Sequence, residues 1–200
     1  LAHIRTVAPG VIVLGDAKRG DVGNTAAAYA KALFQVWDFD AATVNVYGGQ
    51  DAVQPFLEYK DRGIFVWCRS SNRSASDLQD RLVGSSEHGN ENPLYRVVAT
   101  EASKWNQYGN VGLVVGATYP QELAKIRMLC PDMPFLIPGV GAQGGDLKES
   151  VLNGTDSHGR QALVSTSRGV IYASRDRDFA DSARKAAEHL REDINRILDE

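Results

Sequence analysis

Cysteine is scarce. Cys68 and Cys130 are the only two in 200 residues, too few for a disulfide framework and not at zinc-ligand spacing. There is no basic excess either: 22 Lys and Arg stand against 25 Asp and Glu, a net charge of −3. Without a positive surface the chain offers nothing to a phosphate backbone, so nucleic acid is not expected as a partner. No uninterrupted apolar stretch approaches the roughly 20 residues that cross a bilayer, so no membrane association is expected. The first seven residues carry His3 and Arg5 and lack a signal-peptide layout, which points to a cytoplasmic protein. What is there is ordinary for a folded domain: 43% hydrophobic and 24% charged residues, with 19 Gly and 7 Pro. That composition excludes a disordered, collagen-like or coiled-coil chain. Its length suits one domain over residues 1–200 with a real core.

Short β-branched runs alternate with longer helical stretches. Strands are expected at 11–14, 42–46, 64–68, 112–115, 135–137 and 162–164. Helices are expected at 25–37 (capped by Asn24 or Asp21), 51–59, 94–108, 120–129 with Pro120 in the first turn, and 146–152. A last amphipathic helix carries Phe179, Ala183, Ala186, Leu190, Ile194 and Ile197 on one side, for packing against something apolar. Residues 84–92 read as an exposed excursion. Strands that are apolar throughout, each followed by a helix, indicate an α/β fold with a parallel sheet, covered on both sides or closed as a TIM (β/α)8 barrel. About six βα units are visible.

In such barrels functional groups lie at the carboxyl ends of the strands. The first unit ends in Asp16-Ala-Lys18-Arg-Gly-Asp21. Two residues apart in extended chain, Asp16 and Lys18 point the same way. A carboxylate beside an ammonium favours its charged form, which suits Lys18 to proton donation. A strand-end salt bridge with a helix cap is the plainer alternative. Asp21 follows a glycine, where the chain turns, and could join that pocket or face a neighbouring subunit.

Gly139-Val-Gly141-Ala-Gln143-Gly144 matches the dinucleotide fingerprint, but no acidic residue lies about 20 positions on to hold a ribose. A glycine-rich turn whose amides, with Gln143, wrap a phosphate fits better. Arg168 after the next strand could supply forked contacts to the same phosphate. The four histidines fit no ligand or triad spacing, and Cys68 reads as packing.

Five motifs occur in order: Asp16-Ala-Lys18-Arg-Gly-Asp21-Val-Gly-Asn-Thr25, Thr43-Val-Asn45, Cys68-Arg-Ser-Ser71-Asn72, Pro138-Gly-Val-Gly-Ala-Gln143-Gly-Gly-Asp146 and Ser167-Arg168-Gly169. Together they resemble orotidine 5′-phosphate decarboxylase, in its longer bacterial subgroup, over nearly the whole chain. The resemblance implies decarboxylation of orotidine 5′-monophosphate to uridine 5′-monophosphate in pyrimidine biosynthesis, by a homodimer and with no cofactor or metal. It implies that Lys18 protonates C6 of the pyrimidine and that Asp16 lies against the substrate carboxylate and positions the lysine. Asp21 and Thr25 would serve the partner subunit's site. Ser71 would contact the pyrimidine edge, Pro138 would line the base, and Gln143 and Arg168 would grip the phosphate.

The resemblance also implies that the chain starts just before the family's third strand. A ribose-binding aspartate and a second lysine would then lie upstream, in about 60 to 80 further residues. Val46 and Arg73 stand where the subgroup usually has proline. Two other readings remain at this point: a related metal-dependent sugar-phosphate lyase or epimerase, which reuses Asp-x-Lys-x-x-Asp, and a nucleotide-binding remnant without catalysis.

Overall fold

The computed structural model describes residues 1–84, 91–141 and 144–200. In chain order its elements are α1 (Ala2–Val7), β1 (Leu14–Arg19), α2 (Gly23–Lys31), β2 (Ala41–Val44), α3 (Gln54–Leu57), β3 (Gly63–Arg69), α4 (Ser76–Gln79), β4 (Leu82–Val83), β5 (Asn92–Pro93), α5 (Leu94–Trp105), β6 (Val111–Val115), α6 (Pro120–Leu129), β7 (Phe135–Pro138), α7 (Leu147–Gly154), β8 (Ala162–Ser165), α8 (Arg168–Ile171) and α9 (Phe179–Leu198). The contacts gather into two compact units, one of Leu1–Trp67 with Glu101–Leu113 and one of Cys68–Thr100 with Val114–Glu200.

In the first unit β1 pairs in parallel with β2, and β2 with β3. All four side chains of β2 are buried, as are Ile64, Val66, Val111 and Leu113. Ala26 and Ala30, at helical spacing on α2, reach full burial because small side chains let the helix approach the sheet closely. Helical structure continues past α2 through Ala32–Val36 with a widened turn, in which Trp37 N–H donates to Ala32 O at 2.9 Å. Phe34 packs edge-on to Phe56 and tilts against Tyr59, closing this layer.

In the second unit β7 and β8 pair in parallel from Phe135↔Ala162 to Pro138↔Ser165. Leu123 and Ile126 of α6 and Val151 of α7 are buried with Phe135 and Ile137. Arg127, itself buried, donates to the carbonyls of Cys130, Pro131, Met133, Gly154 and Gln161. It thereby ties the ends of α6 and α7 to the starts of β7 and β8. Burial pulls its pKa down to about 10, still far above neutrality, and its guanidinium lies 3.6 Å from the centroid of the Phe135 ring.

Three expectations need correction. The first strand starts at Leu14, where pairing with Ala41 begins, whereas Val11 and Ile12 are exposed at 54% and 65%. Neither Asn24 nor Asp21 caps α2: Val22 holds the cap position and no side chain bonds there. The apolar side of α9 meets α7 and α8, yet none of its residues is buried. The expected excursion at 84–92 falls partly on residues 85–90, outside the described residues; the antiparallel β4–β5 pair flanks it.

Candidate active site

The first unit collects its polar chemistry on β1 and β2. Pairing of these strands slips between Gly15 and Arg19, so the chain bulges where Asp16 and Lys18 lie. Lys18 takes a left-handed backbone, φ +48°, a conformation that costs a non-glycine residue energy and marks a constrained position. Thr43, fully buried on β2, holds the bulge: its hydroxyl accepts from Lys18 N–H and donates to Asp16 Oδ1, each at 2.9 Å. Lys18 Nζ then lies 2.6 Å from both Asp16 oxygens and 6.0 Å from the Trp67 ring centroid. Asp16 and Lys18 thus meet as their spacing predicts, but the bulge and Thr43, not simple strand alternation, bring them together.

Gly20 follows because the chain passes hard against the backbone just beyond β2; a Cβ there would stand 2.0 Å from Asn45 O. Asp21 lies beyond this crossing, and its carboxylate accepts from the amide of Val22 at 2.7 Å. Thr25, in the first turn of α2, is exposed.

The second unit carries the other expected residues. Ser71 follows β3 in a turn fixed by its neighbours: Thr118 Oγ1 donates to Ser71 O and Tyr119 Oη to Asn72 O, both at 3.1 Å. Gly116 backs that turn so closely that a Cβ would lie 2.6 Å from Ser71 backbone atoms. Pro138 ends β7, and beyond it Gly139, Gly141 and Gly144 all have positive φ. This loop is a closed turn in which Gly141, Gly144 and Gly145 N–H donate to carbonyls of the loop itself. Those three amides are turned inward, so the expectation that the loop's amides are exposed for an anion is corrected at these positions. Gln143 lies outside the described residues. Pro138, Gly139 and Val140 line a cleft of about 120 Å³ with Ser165, Thr166, Ser167 and Arg168. Pro138 and Arg168 are thus brought to one concavity at the carboxyl ends of β7 and β8.

Cys68 and Cys130 are buried, and burial pushes both thiols up, in keeping with packing. Among the described residues no three His, Cys, Asp or Glu side chains gather as a metal-ligand set. The sequence pointed to Thr43 only as the first residue of the Thr43-Val-Asn45 motif and gave it no role of its own; its further signal is a hydroxyl inside an otherwise apolar four-residue strand.

Parallel βα units with charged and glycine-rich segments at the strand carboxyl ends define a barrel-type α/β enzyme. A family model described as "Orotidine 5′-phosphate decarboxylase / HUMPS family" matches residues 1–183. The orotidine 5′-phosphate decarboxylase of Dehalococcoides mccartyi is 49% identical over 185 residues, covering 92% of this chain and 68% of that protein. That of Thermomicrobium roseum is 49% identical over 195 residues, covering 97% and 68%. The solved structure of Leishmania donovani OMP decarboxylase superposes with a TM-score of 0.82 at 40% identity, covering 98% of this chain and 72% of that one. The chain belongs to the orotidine 5′-phosphate decarboxylase family, and its α/β fold is of the TIM-barrel class.

Proposed function

We propose that this protein decarboxylates orotidine 5′-monophosphate to uridine 5′-monophosphate, with Lys18 and Asp16 as its reacting centre. The observation that carries the reading is the Thr43-braced contact of Lys18 with Asp16, made from a strained backbone in a chain of this family. In the reaction the bond from C6 to the carboxylate breaks, carbon dioxide leaves, and the electron pair stays on C6. The pyrimidine ring stabilises that pair poorly, so a fixed ammonium beside it lowers the barrier as charge develops. Lys18 then transfers a proton from Nζ to C6 and regains one from solvent. Asp16 orients the ammonium, and its charge opposes the substrate carboxylate more than the neutral carbon dioxide that replaces it.

Ser71 takes the pyrimidine edge, Pro138 lines the base, and Arg168 with Gln143 holds the phosphate. Supporting the phosphate assignment is the cleft that Arg168 shares with Ser165, Thr166 and Ser167. The amides of Gly141, Gly144 and Gly145, bonded within their own loop, take no part in that grip. The protein works as a cytoplasmic homodimer, with Asp21 and Thr25 lent to the partner's site. The exposure of Thr25, of Val22 at 77% and of Tyr47 at 82% supports a surface of that kind. The reaction as proposed uses no cofactor.

The test is to mix the protein with orotidine 5′-monophosphate and follow the ultraviolet absorbance, with and without EDTA. Loss of absorbance, with uridine 5′-monophosphate as the product and no effect of EDTA, is expected. An unchanged nucleotide beside EDTA-sensitive turnover of a sugar phosphate would favour the metal-dependent relatives, and nucleotide binding without turnover a non-catalytic remnant.

A further inference from the structure

Arg69, the last residue of β3, is the largest fully buried side chain among the described residues and carries a charge. An apolar residue would fill this place without the cost of desolvating a guanidinium. Its own satisfaction is incomplete: Nη1 donates to Gln79 Oε1 at 3.1 Å and Nη2 pairs with Asp80 at 3.0 Å, but Nε is buried without an acceptor among the described residues. Its guanidinium carbon lies 3.9 Å from the centroid of the Tyr119 ring and 5.6 Å from that of Tyr95. Tyr119 thus stacks on the cation.

Two of these partners continue into one turn. Gln79 Oε1, held by Arg69, also accepts from Ser70 N–H at 2.9 Å. Tyr119, stacked on Arg69, donates from Oη to Asn72 O. Arg69 O accepts from Gly116 N–H at 2.8 Å, which fixes the point where the turn leaves the strand. The backbone on both sides of Ser71 is therefore tied, directly or through one side chain, to the same buried guanidinium.

We infer that Arg69 is a positioning residue for base recognition, setting Ser71 against the pyrimidine edge through Gln79 and Tyr119. The inference rests on the reading of Ser71 as the group that meets the base, and it adds the device that holds Ser71 there. A positioned polar contact loses much of its value when its support shifts by a fraction of an ångström.

The test compares ligands with and without the base. Arg69→Met should raise the dissociation constant for uridine 5′-monophosphate about tenfold, with that for ribose 5-phosphate within about twofold, as expected where only base recognition is disturbed. Gln79→Leu should do the same with a milder burden on folding, and Gln79→Glu, which keeps oxygen acceptors for both Ser70 N–H and Arg69, should restore near-normal binding. Equal weakening of both ligands, or no weakening of either in a folded Gln79→Leu variant, would overturn the inference. Failure of the unaltered protein to bind uridine 5′-monophosphate would instead remove the functional reading and the inference with it.

Discussion

Lys18 reaches both carboxylate oxygens of Asp16 at 2.6 Å from a backbone in the left-handed region. The contact is paid for in backbone strain, since a Cβ at positive φ crowds the adjoining peptide. Thr43 offsets that strain with two hydrogen bonds into the bulge.

That strain makes glycine and alanine differ at position 18. Lys18→Gly should be more stable than Lys18→Ala by about 1 kcal/mol, the reverse of the order at an ordinary strand position. Chemical denaturation of the two variants measures the difference directly.

Thr43→Val keeps the shape of the buried side chain but removes the hydroxyl shared by Lys18 and Asp16. Turnover should fall about ten- to a hundredfold through loss of alignment. The affinity for uridine 5′-monophosphate should stay close to normal. A steady-state assay beside a binding titration separates the two effects.

Asp40 ties the start of the first unit together, accepting from Val13 N–H at 2.7 Å and from both terminal nitrogens of Arg5. The Arg5 hydrogen bonds hold its carboxyl below the usual carboxylate range; burial opposes them less strongly, and the Val13 amide adds a smaller effect in their direction. A carboxylate whose folded pKa is depressed stabilises the fold above its unfolded pKa, about 3.9, and that contribution is lost as pH falls through the lower folded value. Asp40→Asn should lower the thermal midpoint by a few degrees at neutral pH. The gap to the unaltered protein should shrink below about pH 4, the usual unfolded carboxylate range. Melting curves across pH 3 to 7 test this.

Arg127 satisfies five backbone carbonyls from one buried guanidinium. Arg127→Met should destabilise the protein by about 3–5 kcal/mol, because several acceptors would be left buried and unbonded at once. Arg127→Lys should recover little, since one ammonium with three donors cannot reach all five carbonyls. Urea titration of both variants gives the comparison.

Much of the fold was legible because apolar β-branched runs and helical spacing carry it. Pro120 in a first turn and the stripe from Phe179 to Ile197 mark α6 and α9 at their observed bounds. The first strand was harder: Val11 and Ile12 look like its body, whereas the strand that pairs is Leu14–Arg19, whose centre is polar because it carries Asp16 and Lys18. Those two residues could be picked out by type and spacing, but the left-handed backbone at Lys18 and the brace from Thr43 depend on the register of β1 against β2, which no local pattern encodes. Arg69 stayed hidden for a similar reason. A charge at a strand end is ordinary in sequence, and only packing shows it fully enclosed.

In the proposed reaction the Lys18 ammonium drives decarboxylation and protonates C6. The most direct measurement is the turnover of orotidine 5′-monophosphate by Lys18→Ala beside its affinity for uridine 5′-monophosphate. Turnover should drop by about a thousandfold or more, as expected when the group meeting the developing charge and donating the proton is removed. Nucleotide affinity should stay within about threefold, since binding rests on other residues. Turnover within tenfold of the unaltered protein, about 1.4 kcal/mol in barrier, would contradict the claim.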